Sequence, residues 1–195
     1  VDIMNLISED LGMPVKYEQM DFDSVIPGVQ AGKFDVGMSG ITVTEDRQKN
    51  CDFTDPYFLA SQAIVVTADS PITCKADLEG KKISVQTGTT AEEYCMDNGY
   101  EVLSFTANND AAAALTTGKV DAWVVDNEVA VALAAQQGLT VLDEAMTSEP
   151  YAFAFAKGSD ELVSSFNASL KKLMDDGSIQ EIFDKYGVLY VAPEA

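Results

Sequence analysis

Apolar residues recur with helical spacing at the start of the chain. Val1, Met4, Ile7 and Leu11 fall on one helical face, and Gly12 supplies the usual helix stop. The pattern therefore predicts a helix over residues 1–11. Because no capping residue precedes its first turn, we expect the domain itself to begin further upstream.

Short apolar runs alternate with helical patterns through the rest of the chain. The predicted strands cover residues 15–20, 34–38, 63–67, 82–86, 102–105 and 120–125. The predicted helices include one capped by Asp23 or Ser24, one over residues 91–98, one capped by Asn109 or Asp110, and one with the stripe Leu162, Phe166, Leu170 and Leu173. Residues 52–57 are predicted to form a turn. This alternation favours an α/β fold with open, mainly parallel sheets and helices on their faces.

Two short segments occur twice and predict two similar lobes. Gly32-Lys33-Phe34-Asp35-Val36 is echoed by Gly118-Lys119-Val120-Asp121-Ala122, and Asp55-Pro56-Tyr57 by Glu149-Pro150-Tyr151. We interpret the second pair as crossovers between lobes. Lobe 1 is then residues 1–56 and 152–195, lobe 2 is residues 62–146, and the hinge is residues 57–61 and 147–151.

Composition excludes several classes of function. The net charge of -20 and the pI near 4.1 disfavour binding to nucleic acid. Histidine is absent, which excludes catalytic triads and zinc sites that use it. No apolar run approaches the ~18 residues of a membrane span, so we expect a soluble protein.

The three cysteines, Cys51, Cys74 and Cys95, lack the spacing of metal ligands, and we expect neither a metal nor a cofactor. Two interpretations stay open. Either one disulfide forms, with Cys74 and Cys95 as the first candidates, or all three are small buried thiols.

Arg47 is the only arginine of this acidic chain, and it follows the stretch from Ser39 to Asp46. Either Thr42 and Glu45 form a capping box or Thr44 is the N-cap, and both place Arg47 in the first turn of a helix. The helix dipole disfavours a cation there, whereas a bound anion explains it. The alternative is a solvated arginine paired with Asp46 or Asp52.

Two further strand ends carry polar residues. Gln86 to Thr90 offers hydroxyl and N–H donors before a helix, without the spacing of a phosphate-binding loop. Asp126 either pairs with a cation or caps the helix over residues 127–137. Together with Arg47, these groups suit a ligand that carries both a carboxylate and an ammonium, which indicates an amino acid. Phe22 in the turn before the second helix is a candidate apolar wall, or else a core contact.

Ordered motifs along nearly the whole chain resemble those of the polar amino acid-binding proteins, the type II periplasmic solute-binding components of ABC uptake transporters. The matching segments are Met20-Asp21-Phe22, Ile26-Pro27, Gly32-Lys33-Phe34-Asp35, residues 39–47, residues 52–57, Gly88-Thr89-Thr90, Gly118-Lys119-Val120-Asp121-Ala122 and Asp175-Asp176-Gly177. The resemblance implies a two-lobed fold that closes on a free amino acid and delivers it to a membrane permease.

The resemblance also implies roles for individual residues. Arg47, Thr42 and Thr90 would bind the α-carboxylate. Asp126 would take the α-ammonium, together with the backbone at Ser39 or Gly40. Phe22 would stack on the ligand, and Gln86 would line its side-chain pocket. The implied location is periplasmic or extracellular, and a full-length precursor with or without a lipid anchor is compatible with it.

The chain differs from this family at its start, where the first strand and the following loop are lacking. We expect a monomer, and the uncovered edge favours strand exchange or dimerisation as the alternative. Two other functions fit the same fold: a dehydratase of small cyclic acids that uses Asp126 or Glu128, and the ligand-sensing domain of a receptor.

Overall fold

The computed structural model describes residues 1–193, which group into two compact units. Unit 1 comprises residues 1–20, 24–59 and 150 onward, and unit 2 comprises residues 21–23 and 60–149. Glu194 and Ala195, the last two residues of the predicted first lobe, lie outside the described residues.

The elements follow one another in an irregular alternation of helices and strands. The helices are α1 (Asp2–Leu11), α2 (Phe22–Gln30), α3 (Glu45–Gln48), α4 (Thr90–Asp97), α5 (Asn108–Thr116), α6 (Asn127–Gln137), α7 (Asp160–Asp175) and α8 (Ser178–Lys185), with a 3-10 turn at Lys75–Leu78. The strands are β1 (Gly37–Thr42), β2 (Cys51–Phe53), β3 (Phe58–Ala60), β4 (Gln62–Thr67), β5 (Lys82–Gln86), β6 (Glu101–Phe105), β7 (Ala122–Asp126), β8 (Leu139–Val141) and β9 (Glu149–Ala156).

The sheet of unit 1 is built around β9. Its order is β1-β9-β2, with β3 also pairing β9, and both β1 and β2 run antiparallel to β9. Phe153 and Phe155 of β9 meet the edge of Phe166 on α7, at centroid distances of 5.8 and 5.0 Å. Aromatic burial against α7 therefore anchors this sheet.

The sheet of unit 2 has the order β6-β5-β7-β4-β8 and is buried on both faces. Strand β5 runs parallel to β6 and β7, whereas β4 runs antiparallel to β7 and β8. One core contains Trp123, Leu115 and alanines of α5 and α6. The other contains Ile64, Ile83, Val124 and Cys95. Burial on both faces explains why β4 and β7 are almost continuously apolar.

The α/β class, with two sheets and flanking helices, is confirmed, but four details of the prediction are wrong. Mainly parallel pairing holds only around β5, because the β1 and β2 pairs of unit 1 are antiparallel. Residues 15–20 form no strand, because none of the strands in residues 1–193 pairs with this segment. The predicted turn at residues 52–57 begins as β2, and the strand expected at residues 34–38 is instead β1, which runs to Thr42.

Helix starts also differ from the expectation. The second helix begins at Phe22, so that Asp23 and Ser24 lie inside it, and α5 begins at Asn108 after the N-cap Ala107. Asn109 and Asp110 are therefore helical residues rather than caps.

All three cysteines are free thiols, so the interpretation with a disulfide is wrong. Cys51 and Cys95 are buried, as the alternative required, and Cys74 is half-buried. Burial raises the pKa of the Cys95 thiol to about 12, which leaves it unreactive at neutral pH.

Candidate functional site

In unit 1, Ser39 and Gly40 lie where β1 departs from regular pairing. Gly37 is opposite Ala154 and Ile41 is opposite Ala152, so four steps along β1 match two along β9. Gly40 has φ 59°, and a Cβ there would lie 2.9 Å from Cε2 of Tyr151. Only glycine fits this bulge, which takes the backbone of residues 38–40 out of the regular ladder. The backbone at Ser39 and Gly40 is therefore suited to an external partner.

Arg47 follows the end of β1 within a short capped turn. Thr44 is the N-cap of α3, and its hydroxyl accepts a hydrogen bond from the Arg47 N–H at 3.2 Å. The capping box between Thr42 and Glu45 is thus the wrong alternative. The Arg47 Nη1 donates to the Thr42 carbonyl at 2.9 Å, which orients the guanidinium beside the buried Thr42. Because α3 has only four residues, its dipole is weaker than the sequence argument assumed.

The two carboxylates that offered an alternative partner for Arg47 each bind a lysine. Lys49 bonds Asp46, and Lys157 lies 2.9 Å from Asp52. These lysine hydrogen bonds lower the pKa of both aspartates, and for Asp52 the backbone N–H groups of Gly158 and Ser159 add to the effect. Both carboxylates are therefore ionised and already paired at neutral pH.

In unit 2, the turn between β5 and α4 is closed by reciprocal hydrogen bonds. Thr89 is the N-cap and accepts from the Glu92 N–H at 3.2 Å, while the Glu92 carboxylate accepts from the Gly88 N–H at 2.7 Å. The Gln86 side chain is held by the Thr106 carbonyl at 2.8 Å and by the Asn108 amide at 3.0 Å. Both ends of the Gln86 amide thus have partners within the unit, which restricts its availability to a ligand.

Thr90, the first residue of α4, joins a buried polar network that the sequence analysis missed. Its Oγ1 lies 3.0 Å from Gln62 Nε2 and 3.0 Å from Glu149 Oε2. Gln62 is 0% exposed and Glu149 is 4% exposed. The available signal was a glutamine at the head of the apolar run of β4. The sequence alone does not show that Gln62 meets Thr90, 28 positions away, or that Thr90 meets Glu149, 59 positions further along the chain.

Asp126 ends β7 and takes the N-cap position of α6. Its side chain makes no capping hydrogen bond, so the capping alternative does not account for the carboxylate. The neighbouring Glu128 lies half-buried in the first turn of α6, and burial raises its pKa. One of its carboxylate oxygens, Oε2, has no hydrogen-bond partner among the described residues.

Phe22, which belongs to unit 2, is half-buried and is the first residue of α2 rather than part of a turn before it. In unit 1, a groove of about 870 Å³ is lined by residues that include Met4, Ile7, Tyr17, Phe34 and Phe166. Of the predicted ligand-binding residues, Ser39 lines this groove, and it lies among mainly apolar neighbours.

The described part of the chain, residues 1–193, holds no cluster of acidic or cysteine residues arranged to bind a metal ion. Over the same range, every helix is too short or too polar to cross a lipid bilayer.

Two α/β units, each with polar side chains at strand ends, are an architecture typical of proteins that bind small polar molecules. A sequence model of the bacterial extracellular solute-binding proteins, family 3, matches residues 1–188. The chain therefore belongs to that family.

Individual relatives agree with this assignment. The chain is 30% identical to the L-arginine-binding protein of Pseudomonas aeruginosa, over 95% of this chain and 77% of that protein. It is 32% identical to the ABC transporter glutamine-binding protein GlnH of Bacillus subtilis, over 95% and 71%. Among solved structures, an ancestral arginine-binding protein bound to glutamine superposes with a TM-score of 0.89 at 40% identity, covering 95% of this chain and 85% of that one. These relatives are binding proteins rather than enzymes.

Proposed function

We propose that this protein captures a free amino acid outside the cytoplasmic membrane and delivers it to the permease of an ABC transporter. The observation that carries the proposal is the placement of Arg47, whose guanidinium is oriented by the Thr42 carbonyl while Asp46 and Asp52 bind lysines. A planar guanidinium held in this way is suited to a ligand carboxylate. The relatives in Pseudomonas aeruginosa and Bacillus subtilis, an arginine-binding and a glutamine-binding protein, support an amino acid as the ligand.

The ligand draws its contacts from both units in this proposal. Arg47 binds the α-carboxylate, with Thr42 and Thr90 contributing. Asp126 takes the α-ammonium together with the backbone at Ser39 or Gly40, whose bulge supports this role. Phe22 stacks on the ligand. Gln86 lines the side-chain pocket, but its bonds to Thr106 and Asn108 make it the weakest member of the set.

Closure by hinge motion at residues 57–61 and 147–151 completes the proposal, between lobes formed by residues 1–56 with 152–195 and by residues 62–146. It is supported by the unit boundaries, which fall between Leu59 and Ala60 and between Glu149 and Pro150. The protein acts as a monomer, periplasmic or extracellular, with a lipid anchor on its precursor.

The enzymatic alternative has one supporting feature, the raised pKa of Glu128, since a dehydratase needs a carboxylic acid that is protonated near neutral pH. We favour binding without catalysis because the relatives are binding proteins. Product formation from a small cyclic hydroxy acid, lost in Glu128→Gln, would support the enzyme instead.

A thermal-shift screen of the twenty amino acids tests the proposal directly. At ~100-fold excess over Kd a ligand adds about 2.7 kcal/mol, which raises Tm by roughly 5 to 10 °C. The shift should disappear in Arg47→Ala and in Asp126→Ala. It should persist in two matched controls, Lys171→Ala on the exposed face of α7 and Asp110→Ala in the first turn of α5. If no amino acid shifts the wild-type Tm, the proposed function is wrong.

A further inference from the structure

The hydroxyl of Thr90 has two partners in unit 2, and their chemistry determines where its proton lies. A threonine hydroxyl has one hydrogen to donate and two lone pairs. The hydrogen is used in the bond from Thr90 Oγ1 to Glu149 Oε2, at 3.0 Å. The Gln62 amide, also at 3.0 Å, must then be the donor to Thr90 Oγ1.

The same count of hydrogen-bond donors and acceptors determines which end of the Gln62 amide faces Thr90. A flipped amide would present its oxygen to a hydroxyl whose single hydrogen already bonds Glu149, and would leave a buried NH₂ group without an acceptor. Both partners are buried, so water does not readily replace either bond. One lone pair of the Thr90 hydroxyl remains, and it can only accept a hydrogen bond.

The strand register brings this acceptor towards Asp126. Gln62 of β4 is the direct partner of Asp126 in β7. Side chains of opposed residues in an antiparallel pair lie on the same face of the sheet, about 5 Å apart at Cβ. The Gln62 amide bonds Thr90 on that face, so the Thr90 hydroxyl is separated from Asp126 by one side chain. The oxygens of Asp126 and a hydroxyl that can only accept are suited to a hydrogen-bond donor such as an ammonium, and not to a second carboxylate.

We propose that the Thr90 hydroxyl accepts a hydrogen bond from the ligand's α-ammonium, and that Glu149 and Gln62 are positioning residues that hold it in this acceptor orientation. The inference rests on the proposed function and refines it, because Thr90 was expected to bind the carboxylate. The main-chain N–H of Thr90, rather than its hydroxyl, is then the group that can donate to the α-carboxylate. This N–H lies in the first turn of α4, where N–H groups lack intrahelical partners.

Three probes separate the two roles of Thr90: L-arginine, 5-guanidinopentanoate, which lacks the α-ammonium, and agmatine, which lacks the carboxylate. Calorimetry is performed with the wild type, Thr90→Val, Thr90→Ser, and the matched control Thr116→Val on the exposed face of α5. Loss of a hydrogen bond to a charged group weakens binding ~10-fold or more. We expect this loss for L-arginine and agmatine in Thr90→Val, no change for 5-guanidinopentanoate, and recovery in Thr90→Ser.

Glu149 variants test positioning separately from folding. Glu149→Gln keeps an oxygen acceptor for the Thr90 hydroxyl and should bind L-arginine within ~3-fold of wild type. Glu149→Leu removes it and should reproduce the ~10-fold loss and the probe selectivity of Thr90→Val. A drop in Tm without a change in the affinity ratio of L-arginine to 5-guanidinopentanoate would show a structural role only and would overturn the inference.

The opposite selectivity also overturns it: weakened 5-guanidinopentanoate with unchanged agmatine would mean that the hydroxyl donates to the carboxylate. An equal loss for all three probes would do the same. A measurement on the ligand-free protein keeps the inference testable if L-arginine does not bind. The Thr90 hydroxyl proton should be visible by NMR with a through-space contact to the Glu149 side chain, and should broaden in Glu149→Leu. Absence of that contact in the wild type sinks the inference even where the proposed function stands.

Discussion

Two helices, α3 in unit 1 and α4 in unit 2, begin with the same cap and differ at one decisive position. Thr44 and Thr89 are the N-caps, and each hydroxyl accepts a hydrogen bond at 3.2 Å from the N–H three residues later. That third residue is Glu92 in α4 and Arg47 in α3. The Glu92 carboxylate turns back to the Gly88 N–H, as in a capping box, whereas the Arg47 guanidinium turns back to the Thr42 carbonyl.

The difference shows how one local fold serves two purposes. A glutamate at this position satisfies the helix start from within, and its charge complements the dipole. An arginine satisfies a carbonyl instead and adds positive charge beside the N–H groups of the helix start. The first arrangement stabilises the turn, and in the function that we propose the second binds a carboxylate.

Replacing Arg47 with glutamate, the residue at the equivalent position of α4, gives the largest expected effect. Arg47→Glu should place a capping-box residue at α3, leave Tm within about 3 °C of wild type, and abolish amino acid binding, with affinity at least ~100-fold weaker. The measurement is calorimetric titration with the amino acid found by screening, alongside thermal unfolding.

Arg47→Lys is the matched variant, since it keeps the charge but loses the planar fork. It should bind more weakly than wild type and better than Arg47→Glu. Retention of wild-type affinity in Arg47→Glu would remove Arg47 from the site altogether.

The converse change in unit 2 is expected to affect stability rather than binding. Glu92→Ala removes the bond to the Gly88 N–H and a second bond from Ser104, and should cost about 1 kcal/mol, or about 2 to 4 °C in Tm. The control is Glu93→Ala, an exposed glutamate in the same turn, which should shift Tm by less than about 1 °C. A loss of ligand affinity in Glu92→Ala as large as that in Arg47→Glu would contradict the division of roles.

The features that depend only on neighbouring residues in the sequence could be predicted. Strand β5 occupies residues 82–86 as expected, because an apolar run bounded by a turn is a local signal. The start of α3 was also accessible, since Thr44 was one of two proposed caps. The resemblance pointed correctly to the family of solute-binding proteins, through ordered motifs that include residues 39–47.

Features that depend on distant partners were not predictable in the same way. The bulge at Gly40 involves the distant strand β9, whose Tyr151 leaves no room for a Cβ there, and the network at Thr90 depends on Gln62 and Glu149. Residues 15–20 show the reverse error, because alternation alone predicted a strand whereas a strand also needs a neighbour to pair with. The prediction of a mainly parallel sheet in unit 1 was wrong for a related reason. Both β1 and β2 pair with β9, which lies far along the chain and runs antiparallel to them.

A third helix start, that of α6, extends the comparison and gives the smallest expected effect. Asp126 holds the N-cap position of α6, but its side chain makes no capping hydrogen bond. Glu128 in the first turn of α6 is half-buried, and burial raises its pKa above the ordinary value of 4.5. An acid whose pKa is raised on folding binds its proton more tightly in the folded state. Its charged form therefore destabilises the fold above that raised pKa, and the penalty disappears as pH falls below 4.5. We expect Glu128→Gln to be more stable than wild type at pH 7, by about 1 to 2 °C in Tm, and equal to it near pH 4. Urea or thermal unfolding at both pH values measures the gap, with Glu93→Gln as the exposed control. A gap that stays constant with pH would mean that the glutamine acts through packing rather than through charge, and that burial at the start of α6 places no electrostatic penalty on Glu128.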